Sequence, residues 1–186
     1  MKRTIGASAV TLALFAVMCN PAIAEDNTLR FGGAGYVATD LFSDSDTGYG
    51  AFVDYERTLT RRFGLDFAIQ WAHYDIELEE ALLGKKQKES LGSLDMIPVT
   101  LSPNIHLTPG TGVDFYVRPS IGFAYITGDG ATDDSTTDLA YGVGLGLDIG
   151  RNKWMFVTGV DWLSVETDVE DNFDNVIVKA GAAVRY

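Results

Sequence analysis

Apolar side chains recur at every second position through most of this chain, in runs separated by polar links. A period of two is that of a β-strand, with one residue set on each face. The clearest run closes the chain. Val176, Val178, Ala180, Ala182, Val184 and Tyr186 alternate with Ile177, Lys179, Gly181, Ala183 and Arg185. Similar runs lie at about 29–37, 48–56, 62–75, 94–107, 113–126, 139–149 and 154–163. Helical periodicity is absent from 25–186. The links near 58–61, 108–112 and 150–153 are short, whereas those near 39–47, 77–92, 127–138 and 164–175 are long and polar. An even number of strands with short and long links in alternation predicts an all-β, eight-stranded antiparallel transmembrane β-barrel. Its topology is an up-and-down meander, with the short turns and both termini on the periplasmic side.

The two faces of each run decide between a soluble barrel and an inverted one. A soluble barrel turns apolar residues inward. Here the bulky residues share one face, and the other is rich in glycine, alanine and serine; Gly142, Gly144 and Gly146 follow one another on it. Small residues suit a narrow interior and make a poor aqueous surface. Aromatic residues on the bulky face fall in two bands. Tyr55, Phe63, Phe115, Trp154, Phe156 and Tyr186 lie near the short turns; Tyr49, Trp71, Tyr125, Tyr141 and Trp162 lie near the long links. Phe63 to Trp71 and Trp154 to Trp162 each advance by about eight residues, roughly 20 Å of height in a tilted strand, close to the apolar band of a membrane barrel. Amphipathic rings favour the two bilayer interfaces.

The N-terminus agrees with this fate. Lys2 and Arg3 precede an apolar stretch from Ile5 to Val17, and Ala22-Ile23-Ala24 gives a small-x-small cleavage pattern, so 1–24 is expected to be a cleaved signal peptide and 25–186 one barrel domain. The apolar stretch is too short to span a bilayer. Cys19, the lone cysteine, falls inside the leader, which excludes disulfides from the remainder. All 26 acids lie after residue 24 and two of the 14 bases before it, so 25–186 carries a net charge of −14. So acidic a chain argues against nucleic acid as a partner.

With these patterns in place, the chain resembles the small eight-stranded outer-membrane β-barrel family, OmpW-like, OmpX-like and OmpA-type barrels. The carriers are the terminal alternation Val178, Ala180, Ala182, Val184 and Tyr186, similar to the signal read by the barrel-assembly machinery, and two segments. Ile97-Pro98-Val99-Thr100-Leu101-Ser102-Pro103-Asn104 and Tyr116-Val117-Arg118-Pro119-Ser120-Ile121-Gly122, joined by a Pro-Gly turn, are similar to the fourth and fifth strands of OmpW-like proteins. The resemblance implies an integral protein of the Gram-negative outer membrane, delivered by periplasmic chaperones and the assembly machinery. Its surroundings would be outer-membrane lipids and lipopolysaccharide.

Inward positions carry the acids Asp54, Glu56, Asp66, Asp114, Asp148 and Asp161 and the bases Arg30, Arg118, Lys179 and Arg185. Buried charges need partners or water. Arg30, Asp54, Asp66, Arg118, Asp161 and Lys179 are therefore the candidate lumen charge network, either a plug or the lining of a narrow path. Pro98 cannot donate to a sheet ladder. The resemblance implies a lateral opening there that passes small hydrophobic solutes, with Met96, Leu94, Leu41 and Phe42 at its mouth. A plain bulge is the alternative. Acidic links (Asp40, Asp44, Asp46; Asp129, Asp133, Asp134, Asp138; Glu166, Asp168, Glu170, Asp171, Asp174) lack the complete calcium-loop pattern, and Lys85, Lys86 and Lys88 suit lipopolysaccharide phosphates. A plain role in envelope integrity is the alternative to passage, and two rival classes stay open, a surface adhesion or host-factor-binding barrel and a lipid A-modifying enzyme. Neither histidine has a serine placed for nucleophilic chemistry: His106 is about 13 Å from Ser102 along its strand, and His73 has none adjacent. No enzyme, cofactor or metal is expected.

Overall fold

The computed structural model describes residues 27–39, 47–82, 85–129, 135–167 and 172–186, without the side chains of 76–91 and 129. The expected leader and the mouth residues Leu41 and Phe42 lie outside them. Eight strands form one closed antiparallel meander: β1 (Asn27–Ala38), β2 (Thr47–Thr60), β3 (Phe63–Leu82), β4 (Lys85–His106), β5 (Val113–Asp129), β6 (Ser135–Ile149), β7 (Trp154–Val165) and β8 (Phe173–Arg185). Closure joins β1 to β8, from Thr28 opposite Arg185 to Ala38 opposite Asn175. Backbone bonds between Asn27 and Tyr186, 2.8 and 2.9 Å in the two directions, tie off the seam.

The faces are inverted as the alternation requires. Leu145, Ile121, Phe123 and Val178 are all more than half exposed, while Arg30, Asp54, Glu56 and Asp66 are 1% exposed or less. Such an outer surface is stable only against hydrocarbon, and a closed barrel leaves no unpaired edge in it. Trp154, Phe63, Phe115 and Tyr186 ring the turn end, and Tyr49, Trp71, Tyr125 and Trp162 ring the loop end.

Two features depart from the expected outline. The link 77–92 is not a loop. β3 and β4 continue as a paired hairpin through it, with Glu79 opposite Lys88 and Leu82 opposite Lys85, after one irregularity at Ile76/Glu77. The sequence is too polar there to alternate visibly, but backbone pairing does not require apolar side chains. β5 likewise runs to Asp129 and β6 begins at Ser135, inside the expected third link.

The prolines interrupt the ladders in two places. Between β3 and β4, Ile69 pairs with Val99 and Ala72 with Met96, but Gln70/Pro98 and Trp71/Ile97 do not pair. Between β4 and β5, pairing stops after Leu101/Ile121 and resumes at Ile105/Val117. The flanking register sets Pro103 opposite Pro119. Neither has an N–H, so a position that would exchange two bonds exchanges none.

Candidate functional site in the barrel lumen

The lumen is built in two storeys. The half nearer the turns holds charge. Arg118 on β5, Gly144 on β6 and Asp161 on β7 share one row of the sheet. Because Gly144 has no side chain, Arg118 lies across β6 and grips Asp161 with two bonds, Nε to Oδ1 at 3.0 Å and Nη2 to Oδ2 at 2.6 Å. A methyl at Gly144 would collide with the Asp161 carboxylate and come within 2.9 Å of Arg118 Nε. One row lower, the Tyr116 ring lies over Gly146 in the same manner.

Arg118 Nη1 reaches Asp54 at 2.8 Å, and Lys179 Nζ reaches Asp161 at 2.7 Å and Asp54 at 4.0 Å. On the turn side of this group, Arg30 Nη2 bridges Glu56 and Asp148, both at 2.8 Å, with its guanidinium 4.9 Å from the Tyr116 ring. Asp66 stands between the two arginines, 3.8 Å from Arg30 and 3.6 Å from Arg118, with no hydrogen bond to either carboxylate oxygen. Thus the structure brings Arg30, Asp54, Asp66, Arg118, Asp161 and Lys179 into one continuous group. Glu56 and Asp148, inward acids by parity, complete it. Arg185 stays half-buried at the turn end, apart from it.

His106 and Asn104 join from β4, a part that sequence reasoning missed. His106 sits between Glu56 (Nε2 to Oε1, 2.9 Å) and Asp114 (Nδ1 to Oδ2, 2.8 Å), and Asn104 Nδ2 donates to Glu56 Oε2 at 2.6 Å. Their inward parity was readable; the partner they share, Glu56, comes from β2, two strands removed in the barrel. Two cavities adjoin the network. One is lined by Thr100, Ser102, Arg118 and Ser120, the other by Phe52, Asp54, Tyr116 and Lys179; each has about 10 Å³ of room, about one water.

The half nearer the loops is apolar. Tyr36, Ala72, Tyr74, Met96, Leu163, Val165, Phe173 and Ile177 form one buried cluster, with Leu94 packed against it. Tyr74 stacks edge-on to Tyr36 and Phe173, and its hydroxyl donates to Asn175 Oδ1 at 2.7 Å. Pro98 is fully buried and faces inward beneath Met96. The β3–β4 pairing break therefore lies in the wall at the level where charged and apolar storeys meet. On its outer side a small bridge crosses from strand to strand: Trp71 Nε1 donates to Asp95 Oδ1 at 3.1 Å, and His73 Nδ1 lies 2.9 Å from the same oxygen. His73 Nε2 is 3.5 Å from Asp75. Each ring nitrogen of both histidines thus faces a carboxylate.

An inverted, closed, eight-stranded barrel with paired aromatic girdles has few homes. The outer membrane protein beta-barrel domain matches residues 9–185. The chain belongs to that family. It is an integral outer-membrane barrel, surrounded by the lipids and lipopolysaccharide of that membrane. Among solved structures it is similar to Neisserial surface protein A (14% identity, TM-score 0.64, covering 86% of this chain and 97% of that one). It is also similar to OprG of Pseudomonas aeruginosa (15%, 0.60, 88% and 97%). A third is Ail, the attachment invasion locus protein of Yersinia pestis, solved with the heparin analogue sucrose octasulfate (18%, 0.55, 88% and 100%). At these identities the likeness is one of fold. No curated protein sequence matches the chain.

Proposed function

We propose that this outer-membrane barrel passes small hydrophobic molecules from its outer side into the bilayer through its own wall. The observation that carries the reading is the meeting of the apolar storey with the β3–β4 break. An apolar solute entering from the loop end meets Tyr36, Tyr74, Met96, Phe173 and Ile177, surfaces that favour it over water. The charged storey below blocks onward axial movement, because separating its paired ions would leave buried charges unsatisfied. The β3–β4 pairing is interrupted at Gln70/Pro98 and Trp71/Ile97, so parting the two strands there breaks fewer ladder bonds than elsewhere along them, with the Trp71–Asp95 side-chain bond to be given up. Met96 and Leu94 flank that exit; Trp71 and Ile97 form its lipid side. In this reading the short turns and both termini face the periplasm, and neither catalysis nor a cofactor is involved. The barrel releases its solute into the hydrocarbon.

Uptake of a labelled alkane or of indole by cells with and without the protein tests this. Faster uptake with the barrel present is expected; equal uptake ends the proposal.

A second reading rests on a separate observation. The β3–β4 hairpin extends its pairing through Glu79/Lys88 to Leu82/Lys85, beyond the outer girdle. A protruding strand pair is a surface suited to adhesion or host-factor binding. Deleting 77–90 separates the two readings: adhesion to host cells would fall while solute uptake persisted.

A further inference from the structure

The acidic balance of the chain is reversed at the turn end. Arg61 and Arg62 lie in the turn between β2 and β3, and Arg151 and Lys153 lie between β6 and β7. Arg185 closes β8 beside them. Among the described residues none of Arg151, Lys153 and Arg185 has an acidic partner. Arg151 and Lys153 are exposed, and with Asn152, Arg185 and Tyr186 they line an open cleft of about 400 Å³.

This cleft is pinned rather than loose. Arg185 N–H donates to the Lys153 carbonyl at 2.8 Å, and Tyr186 is tied by its backbone to Asn27. Gly150 N–H donates to the Gly112 carbonyl at 2.9 Å, docking the turn on its neighbour. Arg151 lies across Gly112, whose φ of +86° and missing side chain leave it room; an added Cβ would stand 2.7 Å from Arg151 Nε. The cleft also has a definite height. Trp154 follows Lys153 directly and is 62% exposed, and Tyr186 is 58% exposed, so both belong to the turn-end girdle. Girdle rings sit at headgroup level. Two exposed, unpaired cations, Arg151 and Lys153, therefore stand at the depth where lipid phosphates lie, and Arg185, at an inward position of β8, lines the same cleft.

We infer that the cleft of Arg151, Lys153 and Arg185 is a binding site for the phosphodiester headgroup of an anionic phospholipid in the leaflet at the turn end. Arg151 supplies a planar fork for phosphate oxygens, Lys153 and Arg185 add charge, and Asn152 offers amide donors to the glycerol hydroxyls. Above it the lipid face of β8 carries Val184 and Ala182, with Ala182 flanked by Phe31 and Phe156 in one row, which seats the acyl chains. The function of the site is to anchor the barrel at fixed depth and rotation. It is independent of solute passage.

The test uses the whole barrel in nanodiscs of phosphatidylcholine mixed with phosphatidylglycerol. Lipids retained by the released protein are counted by native mass spectrometry. The wild type is expected to retain phosphatidylglycerol over phosphatidylcholine, and each of R151Q, K153Q and R185Q to lower that preference about fivefold. R61Q/R62Q, at a different turn, is expected to leave it nearly unchanged. A wild type without preference overturns the proposal, and so does an equal loss in R61Q/R62Q, which would make the effect one of overall charge. Arg151 and Lys153 are exposed, and heat-modifiable migration on gels confirms that each variant is folded.

Discussion

The two storeys of the lumen solve the same packing problem with opposite chemistry. Near the turns, the wall is glycine-rich and the space is filled by long charged side chains locked to one another. Near the loops, the wall is alanine-rich and the space is filled by tyrosine, phenylalanine and aliphatic groups. The charged storey is held by directional pairs, each of which fails badly if one partner is lost. The apolar storey is held by contact area, which tolerates exchange of one greasy group for another. Under the proposed function, a barrel closed along its axis and accommodating at its outer mouth would gain from this division.

The largest effect is expected where the division is attacked directly. Arg118→Met leaves Asp54 and Asp161 buried without their main cation, a cost of about 3–5 kcal/mol. Urea unfolding of the refolded protein reads this loss. A planar-bilayer recording should also show the sealed barrel beginning to conduct. The matching change in the other storey, Met96→Leu, should cost less than about 1.5 kcal/mol and leave the barrel sealed. Equal costs would erase the contrast.

Smaller effects sharpen it. Gly146→Ala pushes a methyl into the Tyr116 ring and should destabilise by about 1–3 kcal/mol in the same urea titration. Pro98→Ala restores an N–H donor in the broken stretch of ladder. It should stabilise by about 1 kcal/mol while slowing hydrophobic uptake. The smallest effect concerns the outer bridge. Asp95→Asn replaces the carboxylate shared by Trp71 Nε1 and His73 Nδ1 with an amide and should cost less than about 1 kcal/mol, read as a small drop in the denaturant midpoint.

Much of this was legible in the chain because strand parity is strict. Arg30, Asp54, Asp66, Arg118, Asp161 and Lys179 all sit at inward positions, and a narrow barrel leaves inward charges few places to go. Which charges meet was not legible. Arg30 on β1 pairs with Asp148 on β6 across the lumen, a choice set by stagger between strands and by side-chain reach. His106 lies at an inward position by parity, and its partners Glu56 and Asp114 were hidden for the same reason. The extension of β3 and β4 was hidden because Glu77, Glu79 and Glu80 followed by Lys85, Lys86 and Lys88 reads as a solvated link. The complementary order of the two charge runs was the signal available. The turn-end cleft joins residues of the β6–β7 turn with the end of β8, and the β7–β8 register that sets Trp154 opposite Val184 brings them together.

The central claim is that hydrophobic solutes leave through the β3–β4 wall. Cysteines at Trp71 and Ile97, facing each other across the unpaired stretch, allow the wall to be closed by oxidation and reopened by reductant. In cells carrying this variant, alkane uptake should fall on oxidation to the level of cells lacking the protein and return on reduction. Uptake that stays high in the oxidised, cross-linked barrel would contradict the account.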